Sequence, residues 1–120
     1  MHRILVLAML LALPASGAAA ASFDCAKAAT TVENEICGDS ILSQADEHMA
    51  EAYGKAMEAT LAPRALRTDQ MRWLGSRDSV GTLDDLRASY DRRIADSRAK
   101  RASGEACAAT PAKPRRVRPA

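Results

Sequence analysis

Three stretches of the chain repeat apolar side chains at intervals of three and four residues, the spacing that places them on one face of an α-helix. They span residues 42–57, 66–77 and 83–94. Aromatic residues are few, with one Trp, two Tyr and one Phe, so the core must be built mainly from Leu, Met, Ile and Ala, which favour helices over sheets. The sequence therefore predicts an all-α fold.

A short helix is predicted ahead of these stretches. Thr30 and Glu33 have the spacing of a capping box, in which each side chain bonds the backbone N–H of the other residue. The helix that they start should end near Gly38, so only one or two turns fit.

The three longer helices have start signals of their own. Asp39 or Ser40 suits the N-cap of the first, Pro63 suits the first turn of the second, and Thr82 with Asp85 forms a second capping box at the third. Because the connections are short, consecutive helices should run antiparallel and form a small helical bundle or hairpin of about three main helices. The predicted bounds are residues 40–61, 63–81 and 82–100.

The first 21 residues have the layout of a cleavable secretory signal peptide. A short positive end is followed by an apolar run over residues 4–14 and then by small residues with overlapping Ala-x-Ala sites. The apolar run has about half of the roughly 20 residues that a membrane-spanning helix needs, so it should be removed rather than retained. Cleavage is expected between Ala20 and Ser22. The protein is therefore predicted to be exported, either periplasmic or secreted, and not to span a membrane.

The rest of the chain is predicted to form one helical domain over residues 22–101 and a tail over residues 102–120. Residues 22–97 hold fourteen acidic and nine basic side chains, a net charge of −5. Residues 98–120 hold seven basic side chains and one Glu, a net charge of +6. Three prolines and the loss of apolar periodicity predict that the tail is disordered.

Two interpretations of the basic tail carry equal weight. Its cationic side chains could attract anionic lipid or wall polymer, or the tail could be a solubilising end with no partner. Nucleic acid is disfavoured as a partner because the chain is exported and no aromatic side chains interleave the charges. The cationic side chains are Lys113, Arg115, Arg116 and Arg118.

The cysteines indicate one disulfide. Export permits a bond between Cys25 and Cys37, which would close a loop of about a dozen residues and contribute roughly 3 kcal/mol in the chain-entropy model. The alternative is reduced thiols or a metal site, but the spacing fits no common zinc pattern. Cys107 is left unpaired, and it could carry a mixed disulfide, link two chains or compete for one of the other cysteines.

Catalytic chemistry is hard to build from this chain. His48, the only histidine after the signal peptide, lies among carboxylates on what the pattern indicates is a solvated helix side, with no nucleophile beside it. Two side chains on one exposed helix face seldom fill a metal coordination shell. Asp84 and Asp85 are adjacent on a helix and point in different directions. We therefore expect neither an enzyme nor a protein with a metal or cofactor.

Four segments of the chain carry a resemblance to a known family. In order, they are SFDCAKAATTVENEIC, LSQADEHMAEAY, LRTDQMRWLGSRD and LRASYDRRI. With these segments the chain resembles the exported lysozyme-inhibitor family named after LprI, through its N-terminal domain. The resemblance implies an inhibitor that binds lysozyme by protein–protein association.

Departures from the family pattern occur in the link between the last two helices. Relatives typically carry a second cysteine pair there, and this chain has Val80 and Asp85 at those places. Both cysteines are absent together, so packing alone must hold the link. The absence of this cysteine pair affects the rigidity of the turn over residues 79–85.

The motif residues have a structural and a functional interpretation. Tyr53, Trp73 and Tyr90 could form an aromatic cluster or a ligand platform, and the cluster is favoured because large rings dominate burial in a small core. The charged residues of the motifs could contact a partner, but inter-helix ion pairs are favoured because arginine pairs well with carboxylates in semi-buried sites. The charged motif residues are Asp46, Arg77, Asp78 and Arg93, and the uncharged Gln70 is the remaining motif residue.

Two functions remain open at the level of sequence. In the first, an acidic helical body is steered to a basic lysozyme, and an inserted loop or an arginine occupies the cleft that holds the catalytic carboxyl groups. The loop carrying Asp39 and Ser40, or the turn over residues 79–85, would be the recognition element. In the second, the protein is a non-inhibitory envelope module whose basic tail binds anionic envelope components.

Overall fold

The computed structural model describes residues 21–110, which form one 3₁₀ turn and four α-helices without any strand. The 3₁₀ turn spans Cys25–Lys27. The α-helices are α1 (Thr31–Gly38), α2 (Ser40–Ala59), α3 (Pro63–Arg77) and α4 (Leu83–Ala109). The predicted all-α class is therefore confirmed, with three main helices and one short helix near the N-terminus.

A capping box starts α1 as the sequence predicts. The Thr30 hydroxyl accepts the Glu33 N–H at 3.1 Å, and the Glu33 carboxylate accepts the Thr30 N–H at 3.0 Å. Hydrogen bonds from the Ala29 and Thr30 backbone lower the pKa of Glu33 below its ordinary value. The predicted disulfide between Cys25 and Cys37 is present, with the two Cα atoms 5.9 Å apart, and it ties the N-terminal segment to the last turn of α1.

Asp39 ends α1 and caps α2. Its carboxylate accepts the N–H groups of Ile41 and Leu42, both at 2.9 Å. Ser43, one turn into α2, donates its hydroxyl proton to the Ile36 carbonyl at 2.6 Å. The two helices are thus joined by a single residue and a buried hydrogen bond, rather than by the loop that the sequence suggested at Asp39 and Ser40.

The link between α3 and α4 is a turn stabilised by backbone hydrogen bonds. The Ser79 N–H donates to the Ser76 carbonyl and the Val80 N–H to the Arg77 carbonyl, both at 3.2 Å, so α3 ends before residues 80–81, where its end was predicted. Val80, which stands where the family pattern has a cysteine, packs half-buried against the core. The turn is thus held by backbone hydrogen bonds and by the packing of Val80.

Only half of the second predicted capping box forms. The Thr82 hydroxyl accepts the Asp85 N–H at 3.1 Å and starts α4. The Asp85 carboxylate, however, accepts a hydrogen bond from the Thr82 hydroxyl at 2.7 Å rather than from the Thr82 backbone N–H. The start of α4 is still fixed at the expected place, because one side-chain acceptor is enough to cap it.

The end of α4 differs from the prediction. The expected tail over residues 102–120 begins as helix, because α4 continues for nine residues beyond the predicted end at Lys100. Most residues of this extension, such as Ala102, Glu105 and Ala106, have high helix propensity, and Gly104 in the middle of it is buried against α2. The expectation of disorder is wrong for residues 102–109, and residues 111–120 lie outside the described part of the chain.

The helices run up, down and up. Contacts join Asp39 to Arg87, Asp46 to Tyr90 and Ala59 to Gly104, so α2 and α4 are parallel neighbours and α3 is antiparallel to both. Small side chains let α2 and α4 approach closely along their length. On these two helices the buried small residues are Ser43, Ala52, Ala56, Ser89, Ser97 and Gly104.

Candidate functional site

A buried carboxylate stands at the centre of the polar interior. Asp46 lies on α2 and is 1% exposed, which is deeper than the semi-buried ion pair favoured for it from the sequence. Its Oδ2 accepts the backbone N–H of Ser22 at 2.8 Å and also the Ser22 hydroxyl. Its Oδ1 accepts the Tyr90 hydroxyl at 2.7 Å. The N-terminal segment, α2 and α4 therefore meet at one side chain.

Arg77, at the last turn of α3, supplies the positive charge nearest to this carboxylate. Its Nη1 lies 4.0 Å from Asp46 Oδ1 and donates to the Tyr90 hydroxyl at 3.3 Å. Its Nε and Nη2 atoms contact Asp78 Oδ1 at 2.9 and 2.8 Å. The guanidinium is thus shared between the adjacent Asp78 and the Tyr90–Asp46 pair, and it joins α3 to α2 and α4.

Aromatic rings fill the space between α3 and α4. Trp73 and Tyr90 meet edge to face, with ring centroids 5.1 Å apart and an interplanar angle of 78°. The Arg77 and Arg93 guanidinium carbons lie 5.9 and 6.0 Å from the Trp73 ring centroid, within the range of cation–π attraction. Trp73 Nε1 donates to the Ser89 hydroxyl at 3.1 Å, so the indole is fixed at both its face and its polar edge.

A second chain of polar contacts completes the interior at Gln70, one turn closer to the start of α3 than Trp73. Gln70 Oε1 accepts from Arg93 Nε at 2.9 Å, and its amide nitrogen lies 3.1 Å from the Met49 sulfur. Arg93 also contacts Asp96 on its own helix at 3.0 Å. Long polar and aromatic side chains therefore fill the space beside α3.

Seven of the eight motif residues named from the sequence are joined by these contacts, here called the Asp46 network, and Asp78 lies at its exposed edge. Tyr53 is the exception, because it lines the groove beside the network. Sequence reasoning missed Ser22 and Ser89, and the apolar pattern alone gave no signal for either. The network is formed by Asp46, Gln70, Trp73, Arg77, Asp78, Tyr90 and Arg93, with Ser22 and Ser89 as hydrogen-bonding partners.

The ion pairs of the network differ from those expected. Arg77 and Arg93 make their close carboxylate contacts within their own segments, with Asp78 and Asp96. Between helices, the contacts run through the neutral hydroxyl of Tyr90 and the amide of Gln70. The motif charges thus set the packing mainly through bridging polar side chains, because the only inter-helix ion pair among them is the 4.0 Å contact of Arg77 with Asp46 within residues 21–110.

The surroundings of Tyr90 change its acidity. Burial and the neighbouring Asp46 carboxylate raise the pKa of the Tyr90 phenol well above its ordinary value of 10.0, although Arg77 acts in the opposite direction. Tyr90 is therefore a proton donor to Asp46 at neutral pH.

A groove of about 440 Å³ opens beside the network, between the N-terminal segment, α2 and α3. Its walls combine apolar groups such as Phe23 and Leu74 with Glu33 and Asp78 at the rim. The buried side chains of Asp46 and Arg77 also line the groove. The groove is accessible, but the charged groups at its base are already engaged with each other.

The two predicted recognition elements come together at one end of the bundle. Arg87 Nη2 donates to Asp39 Oδ2 at 2.7 Å and its Nη1 contacts Asp84 at 3.3 Å, which joins the α1–α2 junction to the first turn of α4. Two large apolar side chains are exposed here, Ile41 at 61% and Leu83 at 43%, although Leu83 was expected in the apolar stripe of its helix. We call this surface, residues 39–41 and 79–85, the capping end.

Other sites named from the sequence lie apart from this network. His48 borders a small hollow with Glu51 and Lys55, and residues 21–110 contain no group of three or more metal-binding side chains. Cys107 is exposed and free on the wall of an apolar groove near the α2–α3 turn. The basic tail residues Lys113, Arg115, Arg116 and Arg118 lie outside the described part of the chain, as do residues 1–20 of the signal peptide predicted over residues 1–21.

Within residues 21–110, no helix combines the length and apolar character needed to cross a bilayer. The fold and its interior define a class of protein: a small disulfide-tethered helical domain whose polar motif residues are turned inward to hold the helices. The family model of the lysozyme inhibitor LprI matches residues 24–115, and the chain belongs to this family. A search of curated proteins and a search of solved structures each gave no significant match.

Proposed function

We propose that this protein is an exported lysozyme inhibitor that acts by protein–protein association. The observation that carries the proposal is the match to the LprI inhibitor family over residues 24–115, a range that includes all four helices. Export is supported by the layout of the first 21 residues and by the Cys25–Cys37 disulfide, which persists in an oxidising compartment.

The capping end is our candidate for the surface that contacts lysozyme. Ile41 and Leu83 supply exposed apolar area, and the exposed carboxylates of Asp84 and Asp85 flank it. An apolar patch with an acidic rim suits a basic partner, because the rim steers the encounter and the apolar side chains contribute to the burial. Arg87 and the Asp46 network hold the elements that carry this surface in one arrangement.

A cell-wall clearing assay tests the function. We expect the purified mature protein to slow lysis by lysozyme in a dose-dependent way. Unchanged lysis at a large molar excess, for every lysozyme class assayed, would reject the inhibitor proposal.

Charge-introducing variants test the surface. Ile41→Arg and Leu83→Arg place a positive charge in the apolar patch, and we expect each to weaken inhibition by at least about tenfold, because the new charge is desolvated and opposes a basic partner. Met71→Arg is the matched control, since Met71 is 67% exposed on α3, away from the capping end. Equal loss of inhibition in all three variants would contradict the assignment of the surface.

Deletion of residues 111–120 separates this proposal from the envelope-module alternative. Inhibition by recognition through the capping end does not need the basic tail, so the truncated protein should inhibit as well as the full chain. Loss of envelope association together with an absence of inhibition in the full chain would favour the module instead.

A further inference from the structure

The ion pairs of the interior do not explain why Asp46 has its closest backbone contact with Ser22, in the N-terminal segment. The carboxylate is almost fully buried, yet its nearest guanidinium is 4.0 Å away and is shared with Asp78. The backbone nitrogen of Ser22 lies much closer, at 2.8 Å, and donates directly to Oδ2. This nitrogen falls within the short stretch where the Ala-x-Ala pattern expects cleavage.

We propose that processing cuts the Ala21–Ser22 bond and that the new α-ammonium group of Ser22 is the counter-ion of the buried Asp46 carboxylate. The inference rests on the proposed export of the chain. In the step itself, water cleaves the amide: its oxygen joins the Ala21 carbonyl carbon, which leaves as a carboxylate, and its two protons convert the Ser22 nitrogen into –NH₃⁺.

Cleavage changes the Ser22 nitrogen into a stronger hydrogen-bond donor for Asp46. Before cleavage, the Ser22 nitrogen is a neutral amide with one proton to give. Afterwards it is a cation with three, placed beside a carboxylate that water does not reach, where charge-assisted hydrogen bonds are strong. Ala21 is 3% exposed, so its removal takes one methyl group from the core, a smaller effect than the pairing of a buried charge. Processing would therefore lock the N-terminal segment onto α2.

The charged groups that face the new terminus come from three helices. Asp46 on α2 attracts the ammonium, Arg77 on α3 repels it, and Asp78 and Glu33 at the groove rim add negative charge, while Tyr90 on α4 stays neutral. Direct contact with Asp46 should raise the pKa of the amine above its ordinary 7.7–8.0. The added stability is then complete at neutral pH and is lost as the pH rises through the raised value.

The test compares two chains that differ in a single group. Residues 22–120 are prepared with a free Ser22 amine and with an acetylated one, which keeps the amide N–H but removes the charge. At pH 7 we expect the free-amine form to have roughly a tenfold larger folding equilibrium constant in urea unfolding. The advantage should vanish in Asp46→Asn and persist in Glu47→Gln, a change of charge at the exposed neighbouring residue on the same helix.

A second readout applies even where Asp46→Asn does not fold. The difference between the free and acetylated chains should disappear above pH 10, because the amine is then neutral. Equal stability of the two forms at pH 7, or a difference that does not depend on pH, would overturn the pairing.

Mass analysis of the protein recovered from the exporting cell tests the assigned bond. A mature chain beginning at Ser22 supports the inference. A chain that is processed at another bond overturns this inference and leaves export standing, whereas an unprocessed chain retained in the cytoplasm overturns export itself.

Discussion

At the scale of single residues, Tyr90 shows why a polar side chain occupies the centre of the core. Its ring packs against Trp73 with no exposure to solvent, so it contributes as an apolar group. Its hydroxyl donates to Asp46 on α2 and accepts from Arg77 on α3, so it joins these two helices by hydrogen bonds. Tyr90 thus satisfies a buried carboxylate and a buried guanidinium with one atom.

Replacement of this hydroxyl should be costly. In Tyr90→Phe the ring packing is kept, but Asp46 loses a donor and Arg77 an acceptor, so we expect a loss of about 1–3 kcal/mol in the free energy of unfolding. Tyr53→Phe is the matched control, because Tyr53 lies beside the network rather than in it. Urea denaturation measures both, and equal small losses would show that the Tyr90 hydroxyl bonds carry no net stability.

The same residue also predicts an alkaline effect. The raised pKa of Tyr90 means that above pH 10 the unfolded chain releases the phenolic proton while the folded chain keeps it. Unfolding is therefore favoured as the pH rises beyond 10, and the free energy of unfolding should fall there. Tyr90→Phe should show a shallower fall than the unaltered chain, and identical slopes would contradict this origin.

The residues of the network divide into those that the sequence could predict and those that it could not. Trp73 and Tyr90 are large and lie on regular helical stripes, so their burial follows from periodicity. The full burial of Asp46 could not be predicted, because it depends on donors from Ser22, Tyr90 and the end of α3, three segments far apart in sequence. No local pattern encodes that meeting.

At the scale of elements, the close approach of α4 to the end of α2 depends on one glycine. A Cβ atom at Gly104 would stand 2.3 Å from the Ala59 carbonyl oxygen and 2.8 Å from its carbon, both of them backbone atoms. A side chain here cannot be accommodated by a change of rotamer, so the helices themselves would have to separate.

We therefore expect Gly104→Ala to destabilise the protein by about 1–3 kcal/mol, despite the higher helix propensity of alanine. Gly54→Ala in the middle of α2 is the control, because a Cβ there meets nothing within 4 Å. It should be neutral or stabilising by up to about 1 kcal/mol. Thermal unfolding followed by circular dichroism compares them, and an unaffected Gly104→Ala would indicate that residues 102–109 do not pack on α2 in solution.

Helix starts were predictable, and so was the end of α1 at Gly38, but the end of α4 was not. The caps at Thr30, Asp39 and Thr82 are local hydrogen bonds within three residues, so the sequence contains them completely. The end of α4 depends instead on the contact of Gly104 with Ala59, and that pairing follows from the three-helix arrangement. The prediction of a tail from residue 102, made from the prolines and the loss of apolar periodicity, could not include this contact between distant segments.

At the scale of the whole molecule, the fold separates a structural interior from the surface that we propose for recognition. The motif residues that mark the family lie mostly in the Asp46 network, where they hold α3 against α2 and α4. The capping end presents exposed apolar and acidic groups instead. The sequence indicated the family and the bundle, and it favoured inter-helix ion pairs over partner contacts for the motif charges. The bridging through Tyr90 and Gln70 could not be predicted, since burial is a property of the assembled helices.

The most direct test of this account is a calorimetric titration of the mature chain into lysozyme. A saturable association of one inhibitor with one enzyme is expected, and it should weaken as salt is raised because the acidic rim of the capping end contributes to attraction of the basic enzyme. The absence of any binding at micromolar concentrations and low salt, for each lysozyme class titrated, would contradict the account.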